Sequence, residues 1–303
     1  MVNKNPNHIK SLGIDRFFDV LVYVLATLAF LIILLPLINV VVCSFSGGRA
    51  VQTGKVLLWP KDVTIDAYKM VFEYRDIWIG YRNTIYYTVV GTLLNIIFTT
   101  LMAYPLSRRQ LHGRAFIMRI LVFTMMFSGG LIPNYLLVKN LHLINTSWSL
   151  WLPGLISVYN VIVMRTYFQT TIPDELLEAA QIDGCSNWAF LLRVVLPVSK
   201  AILAVMVLLY AVGHWNTYFN AMLYLSDKKK YPLQIFLRDI LISTDIDMSS
   251  MTGSNVQEML RRKEMQIIMK YALIVVSSVP ILIAYPFVQK YLVKGVMIGS
   301  VKG

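Results

Sequence analysis

The chain predicts an all-α integral membrane protein with six transmembrane helices, and three observations carry that expectation. Of 303 residues, 57% are hydrophobic and only 15% are charged, where a soluble domain carries roughly a quarter charged residues. Mean hydropathy is +0.61. Formally charged residues are absent from six windows: Val20–Gly48, Asn83–Ser107, Ile120–Val138, Asn140–Met164, Ala201–Ser226 and Tyr271–Gln289. Each is long enough to cross a hydrocarbon layer of roughly 30 Å as a helix of about 20 residues. Helices are the expected form, because lipid leaves open backbone groups unsatisfied. The alternating strand pattern of an outer-membrane barrel does not appear.

Residues 1–16, with Lys4, Lys10 and Arg16, read as a short tail. The first span, about Val20–Cys43, exceeds the apolar run of a cleaved signal and has no evident small-residue cleavage site. Pro36 is expected to kink it. The polar segment from Gly47 to Arg82 contains Trp59-Pro60, a turn, and then Thr64-Ile65-Asp66-Ala67-Tyr68, the expected start of a short helix capped by Thr64.

The third span contains Ser128-Gly129-Gly130 and Pro133-Asn134-Tyr135, which read either as close helix packing through small residues or as part of a solute pathway. The fourth carries Pro153, Gly154, Tyr159 and Asn160; the fifth carries His214, Trp215, Asn216, Tyr218 and Asn220. Aromatic rings stack on sugars and amides supply directional hydrogen bonds, so Tyr159, Asn160, Trp215, Asn216, Tyr218 and Asn220 are candidate substrate-pathway residues. An equally physical account places the aromatics in an interfacial belt and the amides on neighbouring helices.

The loop Asp227–Lys270 opens with Lys228-Lys229-Lys230, continues as an amphipathic helix over Tyr231–Ile242 expected to lie on the membrane, and closes near Arg261-Arg262-Lys263. It reads as a solvated or headgroup-facing surface, or as a docking surface for an external binding protein. Cys43 and Cys185 form neither a disulfide framework nor a metal pattern.

Between the fourth and fifth windows lies a polar, amphipathic island, Pro173–Lys200, PDELLEAAQIDGCSNWAFLLRVVLPVSK. Pro173 suits a first helical turn. Thr171, three residues before Asp174, offers a weak capping box, and Asp174 and Glu175 complement the helix dipole. Leu176, Ala179 and Ala180 fall on one face, and the two alanines keep that face shallow. Gly184 suits a left-handed stop. Ser186 suits the cap of a second short helix whose apolar side is Trp188, Leu191 and Leu192, and Pro197 breaks the chain again. A helix–glycine–helix elbow is expected at the membrane surface.

Glu178-Ala179-Ala180, then Gly184, then Val194, Leu196 and Pro197, stand at the spacing of the EAA loop of permease subunits of binding-protein-dependent ATP-binding-cassette (ABC) importers, and the stretch resembles that loop. Val194 stands where that family usually has isoleucine. The closing YPFVQKYLVKGVMIGSVKG, Tyr285–Gly303, resembles the carbohydrate-uptake branch, which includes the smaller maltose-permease subunit and oligo- and polysaccharide permeases.

The resemblance implies a type I importer permease. Its six-helix domain spans residues 17–293, with a coupling helix in the EAA loop at 173–200 and cytoplasmic tails at 1–16 and 294–303. It implies that Glu178, Ala179, Ala180 and Gly184 form the ATPase contact and that Leu196 and Pro197 set the exit into the fifth span. It implies four kinds of partner: a second homologous permease, two ATP-binding-cassette subunits, an external solute-binding protein and membrane lipid. ATP and magnesium would sit on the ATPases, and the chain would lie in a bacterial cytoplasmic membrane with both termini inside.

Counting crossings puts the elbow on the side of both termini and of Arg108, Arg109, Arg114 and Arg119. The 28 basic residues divide almost evenly between the two sides, so the orientation rests mainly on the resemblance. No G-x-x-x-x-G-K-[ST] loop is present, so ATP hydrolysis belongs elsewhere. No H-E-x-x-H or His/Cys cluster suggests a metal, the four histidines are scattered, and a net charge of +12 without aromatic–basic interleaving gives no nucleic-acid signal.

The main alternative, a secondary transporter driven by an ion gradient, usually keeps acidic residues at membrane depth. None lies inside the six windows, although backbone carbonyls alone could hold sodium. An intramembrane enzyme or a structural membrane protein leaves the spacing of the elbow unexplained.

Overall fold

The computed structural model describes residues 13–246 and 256–300; the first twelve residues of the predicted tail, the centre of the long loop at 247–255 and the last three residues lie outside the described residues. All regular structure among the described residues is helical. In chain order the elements are α1 (Gly13–Ser44), α2 (Gly48–Gln52), α3 (Asp66–Glu73), α4 (Arg75–Ser107), α5 (Arg114–Met126), α6 (Leu131–Asn140), α7 (Trp148–Trp151), α8 (Val158–Thr171), α9 (Asp174–Ile182), α10 (Asn187–Phe190), α11 (Leu196–Val198), α12 (Lys200–Trp215), α13 (Phe219–Tyr224), α14 (Leu233–Ile246) and α15 (Val256–Ser300). A π-helical turn, Leu191–Val195, joins α10 to α11. The chain divides into two compact units, 1–71 with 246–275, and 72–245 with 276–303.

In the first unit, α1 contains Pro36 and its apolar window is 0% buried within the chain, a surface left to lipid or to another chain. Its C-terminal end is tied down by polar contacts. Asn39 Nδ2 donates to the carbonyls of Val56 (3.3 Å) and Leu57 (2.7 Å), and Ser44 Oγ lies 2.7 Å from Tyr68 Oη. Thr64 Oγ1 accepts from the Asp66 N–H at 3.2 Å, so it meets the first N–H of α3 from one residue before the N-cap position, which Ile65 holds. Gly48 is required by close approach: a Cβ there would stand 2.5 Å from the Glu264 carbonyl oxygen.

The second unit is organised around α4, which begins eight residues before its charge-free window. A polar stripe runs along it at four-residue spacing, one face of the helix: Asn83, Tyr87, Gly91, Asn95 and Thr99. Amides at this depth are costly unless they meet a partner, and each meets one. Asn83 Nδ2 donates to the carbonyls of Lys229 (2.7 Å) and Tyr231 (3.0 Å), and Tyr87 Oη donates to that of Lys230 (2.8 Å). The lysine run is therefore a turn (Lys228–Lys230) pinned by its backbone to α4, and Lys230 Nζ is itself bound to the Asn145 carbonyl at 2.6 Å.

The helix expected to lie on the membrane after it packs instead on α4. Leu233, Ile235 and Phe236 of α14 are buried, and Gly80 leaves no room for a Cβ against the Leu233 backbone, 2.9 Å away. Nearer the other end of α4, Val161, Met164, Phe168, Phe190, Val195 and Met206 form a core with no exposed surface.

Among the described residues, three helices are long and apolar enough to cross a membrane: Arg16–Ser44, Arg75–Ser107 and Lys263–Pro286. Two bent pairs, Arg114–Met126 with Leu131–Asn140 (112°) and Asn187–Val198 with Lys200–Trp215 (82°), bring the count to five when each pair is taken as one span. The third window is thus two helices meeting at Phe127–Gly130. Gly130 has φ +86° there and nothing lies within 4 Å of its Cβ position, so these glycines make a bend and do not serve close packing in this chain.

The fourth window is not one helix. It holds α7, a non-helical stretch around Pro153-Gly154 and the first half of the 14-residue α8, which Ser157 caps by accepting from the Asn160 N–H (3.4 Å). Freedom from charge reports hydropathy; it does not report helical continuity, and Pro-Gly interrupts the helix here. The predicted C-terminal tail at 294 coincides with no break, since α15 continues to Ser300.

Candidate functional site

The elbow is built as its residues require. Pro173 stands one place before the expected first turn, at the N-cap of α9, with φ −59° and ψ 149°. That start leaves Thr171 two positions before the N-cap, too early for a capping box, and its Oγ1 is buried without a hydrogen-bond partner. Asp174 turns instead to two arginines at the end of α4: Arg108 Nη1 at 3.6 Å and Arg109 Nε at 3.4 Å. Arg108 is 6% exposed. Its Nε donates to Ser107 Oγ (3.1 Å), its Nη1 to the Ile172 carbonyl (3.4 Å), and its guanidinium stacks over the Tyr104 ring at 5.5 Å. Burial pulls the Arg108 pKa down while Tyr104 and Asp174 push it back up, and an arginine stays charged at every working pH.

α9 ends in a Schellman motif. The Cys185 N–H donates to the Ala180 carbonyl (2.8 Å) and the Gly184 N–H to that of Gln181 (3.0 Å), with Gly184 at φ +75°. No atom lies within 4 Å of a Cβ at Gly184, so only the backbone conformation demands glycine. Ser186 Oγ accepts from the Ala189 N–H at 3.2 Å and caps α10 as expected.

Leu177 is the residue of α9 that faces the core, at 3% exposed, and Ala180 packs partly beside it. Glu178 and Ala179 face outward. Leu176 (46%), Ala179 and Ile182 (86%) form an outward apolar stripe at three-residue spacing, and Ile182 was not among the residues singled out from sequence. In the second arm, Phe190, Leu191 and Val195 are buried, whereas Trp188 and Leu192 stand exposed. The apolar side read from the sequence is therefore split between two faces. Leu196 packs partly on the core, and Pro197 stands exposed just before the 82° bend into α12.

Two cavities flank the Arg108–Asp174 contact. One of 680 Å³ is walled by Tyr104, Pro105, Leu177, Trp188 and Leu191; the other, of 650 Å³, is lined by Ser107, Arg109, Gln169, Asp174 and Glu178.

The structure separates the pathway candidates. Trp215 is buried, and its Nε1 donates to the Ser277 carbonyl at 3.1 Å. Tyr81, edge-on to Trp215, donates its hydroxyl to the neighbouring Val276 carbonyl. Pro280 lacks the N–H that would otherwise bond Val276, so these two aromatics stabilise a proline site in α15. Asn216, the C-cap of α12, is exposed with Nδ2 donating to the Val212 carbonyl (3.0 Å). Tyr218 and Asn220 are exposed around the break between α12 and α13, and in the first turn of α8 Tyr159 is exposed while Asn160 is buried.

No family model matches the chain. It is 42% identical over 293 residues to the polygalacturonan/rhamnogalacturonan transport system permease protein YtcP of Bacillus subtilis (strain 168), covering 95% of this chain and 99% of that one. It is also 42% identical, over 272 residues and 90% of both chains, to Protein LplC of the same organism. Among solved structures, a bacterial ABC transporter involved in the import of the acidic polysaccharide alginate superposes with a TM-score of 0.82 at 34% identity, covering 93% of this chain and 98% of that one.

Proposed function

Because this chain belongs to the permease subunits of ABC sugar importers, we propose that its elbow is the coupling element through which a separate ATPase drives the movement of an acidic oligosaccharide. The chain is a multi-pass membrane permease of an ATP-driven importer, and not an ion-driven carrier. Permease subunits of this kind are not themselves enzymes.

Glu178, Ala179, Ala180 and Gly184 form the contact with the ATPase, with Leu176 and Ile182 completing its apolar surface. Leu196 and Pro197 set the bend into α12. The elbow and both termini face the cytoplasm, the chain pairs with a second permease and two ATPase subunits that hold ATP and magnesium, and an external binding protein delivers the solute. The fourth window, with α7, the Pro153-Gly154 break and α8, is the sixth crossing of a domain spanning residues 17–293. The tails are residues 1–16 and 294–303. Tyr159, Asn160, Asn216, Tyr218 and Asn220 line the pathway, and Trp215 supports them from behind.

One observation carries this reading. The outward face of α9 carries an exposed apolar stripe, Leu176, Ala179 and Ile182, while its first residue is tied to the end of α4 through Asp174 and Arg108. A push on that face reaches the central helix through a contact whose arginine end is buried. The substrate class rests on the polygalacturonan/rhamnogalacturonan and alginate relatives, and it is compatible with charge: no Asp or Glu lies in any of the six windows to repel a uronate. The test is ATP-driven uptake in proteoliposomes holding the whole transporter and its binding protein. Oligogalacturonate uptake should exceed uptake of a neutral oligosaccharide of equal length, and the reverse preference would reject the acidic substrate.

A further inference from the structure

A break in a spanning segment leaves backbone groups that lipid does not satisfy. At Pro153–Ser157, two side chains, one from each of two other helices, meet those groups. Asn95 of α4, 1% exposed, donates both Nδ2 hydrogens, to the carbonyls of Gly154 and Leu155, each at 2.8 Å. With both amide hydrogens so used, its Oδ1 is the acceptor for His214 of α12, whose Nε2 lies 2.6 Å away and therefore carries the hydrogen. One helical turn along, Tyr210 Oη accepts from the Ser157 N–H (3.4 Å) and lies 2.7 Å from Thr99 Oγ1, a hydroxyl pair in which either can donate. Two rungs, His214–Asn95 and Tyr210–Thr99, thus join α12 to α4 at matching four-residue spacing, and each rung also grips the broken segment. Gly91 belongs to the device: a Cβ there would stand 2.6 Å from His214 Nε2, inside contact distance.

We infer that Asn95 is a positioning residue of the translocation pathway: with Tyr210, and oriented by His214, it clamps Gly154–Ser157 between α4 and α12 and so sets where the first turn of α8 presents Tyr159 and Asn160. The inference rests on the reading that Tyr159 and Asn160 line the pathway. The geometry supplies the specificity of the clamp. An aspartate at 95 keeps an acceptor for His214 but turns a carboxylate oxygen toward two carbonyls. An alanine at 91 leaves both partners in place and pushes the imidazole off the amide.

The experiment uses the complete transporter reconstituted with its ATPases and loaded binding protein, with rates expressed per assembled complex. Hydrogen exchange over residues 152–160 and the kcat and KM of uptake are measured for Asn95→Asp, Gly91→Ala, Tyr159→Ala and Asn160→Ala. Asn95→Asp should accelerate exchange in 154–157 and lower uptake kcat about tenfold, the scale of two lost hydrogen bonds. KM for the binding protein and exchange over α9 should stay unchanged. Gly91→Ala should shift the same quantities in the same direction by less, and Asn95→Asp with Asn160→Ala should lose less than the product of the single effects.

Unchanged exchange in Asn95→Asp overturns the clamp. Faster exchange with normal kcat, while Asn160→Ala lowers kcat, overturns the positioning role and leaves the pathway reading intact. Normal kcat in both Tyr159→Ala and Asn160→Ala overturns the pathway reading and the inference with it.

Discussion

The guanidinium of Arg108 lies 3.6 Å from the carboxylate of Asp174 and 3.4 Å from the carbonyl of Ile172, joining the last turn of α4 to the entry of the elbow helix. The arginine is buried and the aspartate is half-exposed, so the contact has one fixed end and one that faces water. That asymmetry suits a joint between a helix bundle and a surface element that moves against a partner.

The conformation at Gly184 predicts a ranking of substitutions. Its φ of +75° with empty space around the Cβ position makes asparagine, which tolerates that region, nearly neutral. Valine should cost about 1–2 kcal/mol at that position. Measured on the assembled transporter, Gly184→Val should retain ATP hydrolysis and lose uptake, and Gly184→Asn should retain both.

Ile182, 86% exposed at the end of the apolar stripe, contributes nothing to the core of this chain. Ile182→Asp should therefore leave the thermal stability of the isolated permease unchanged. Its affinity for the ATPase subunits should fall by at least about tenfold, as for a central apolar anchor. Pull-down titration and a melting curve read the two effects separately.

Two neighbours in the fifth span should behave in opposite ways. Trp215→Ala removes a buried ring and the donor to Ser277, at a cost of about 3–5 kcal/mol. Tyr81→Phe removes the donor to the Val276 carbonyl left open by Pro280, at about 1–3 kcal/mol. Asn216→Ala should stay within about 0.5 kcal/mol in stability, as surface changes do, and lower uptake if the pathway passes it. Detergent melts of the three variants, with uptake for the last, separate support from contact.

Local chemistry was legible in the sequence and long-range chemistry was not. Gly184 and Ser186 act within a few residues of themselves, so their spacing alone predicts the Schellman turn and the cap. Thr64 also acts locally, on the N–H two residues ahead of it. The Thr171–Asp174 box failed because Asp174 has better partners some 65 residues away in the chain, and no local pattern encodes them.

The charge-free windows located α1, α4 and the span in α15. They passed over the Pro153-Gly154 break, since apolar residues continue through it. Trp215 and Asn216 are adjacent and look alike as pathway candidates; the Ser277 carbonyl, on another helix, takes the buried Trp215 and leaves Asn216 exposed. One long-range signal was available: Asn83, Tyr87, Gly91, Asn95 and Thr99 recur every fourth residue in the second window, marking a face that needs polar partners.

The coupling ratio of the Arg108 contact tests the account most directly. Solute taken up per ATP hydrolysed should be measured in proteoliposomes for the wild type, Arg108→Leu and Asp174→Asn, with assembly verified for each. The account predicts that hydrolysis persists while the ratio falls about tenfold in Arg108→Leu, which loses the buried contacts to Asp174 and Ile172 and leaves only the exposed Arg109 on Asp174, and less in Asp174→Asn, where a neutral oxygen remains. A wild-type ratio in Arg108→Leu, in a fully assembled transporter, would contradict the claim that force from the elbow reaches α4 through this pair.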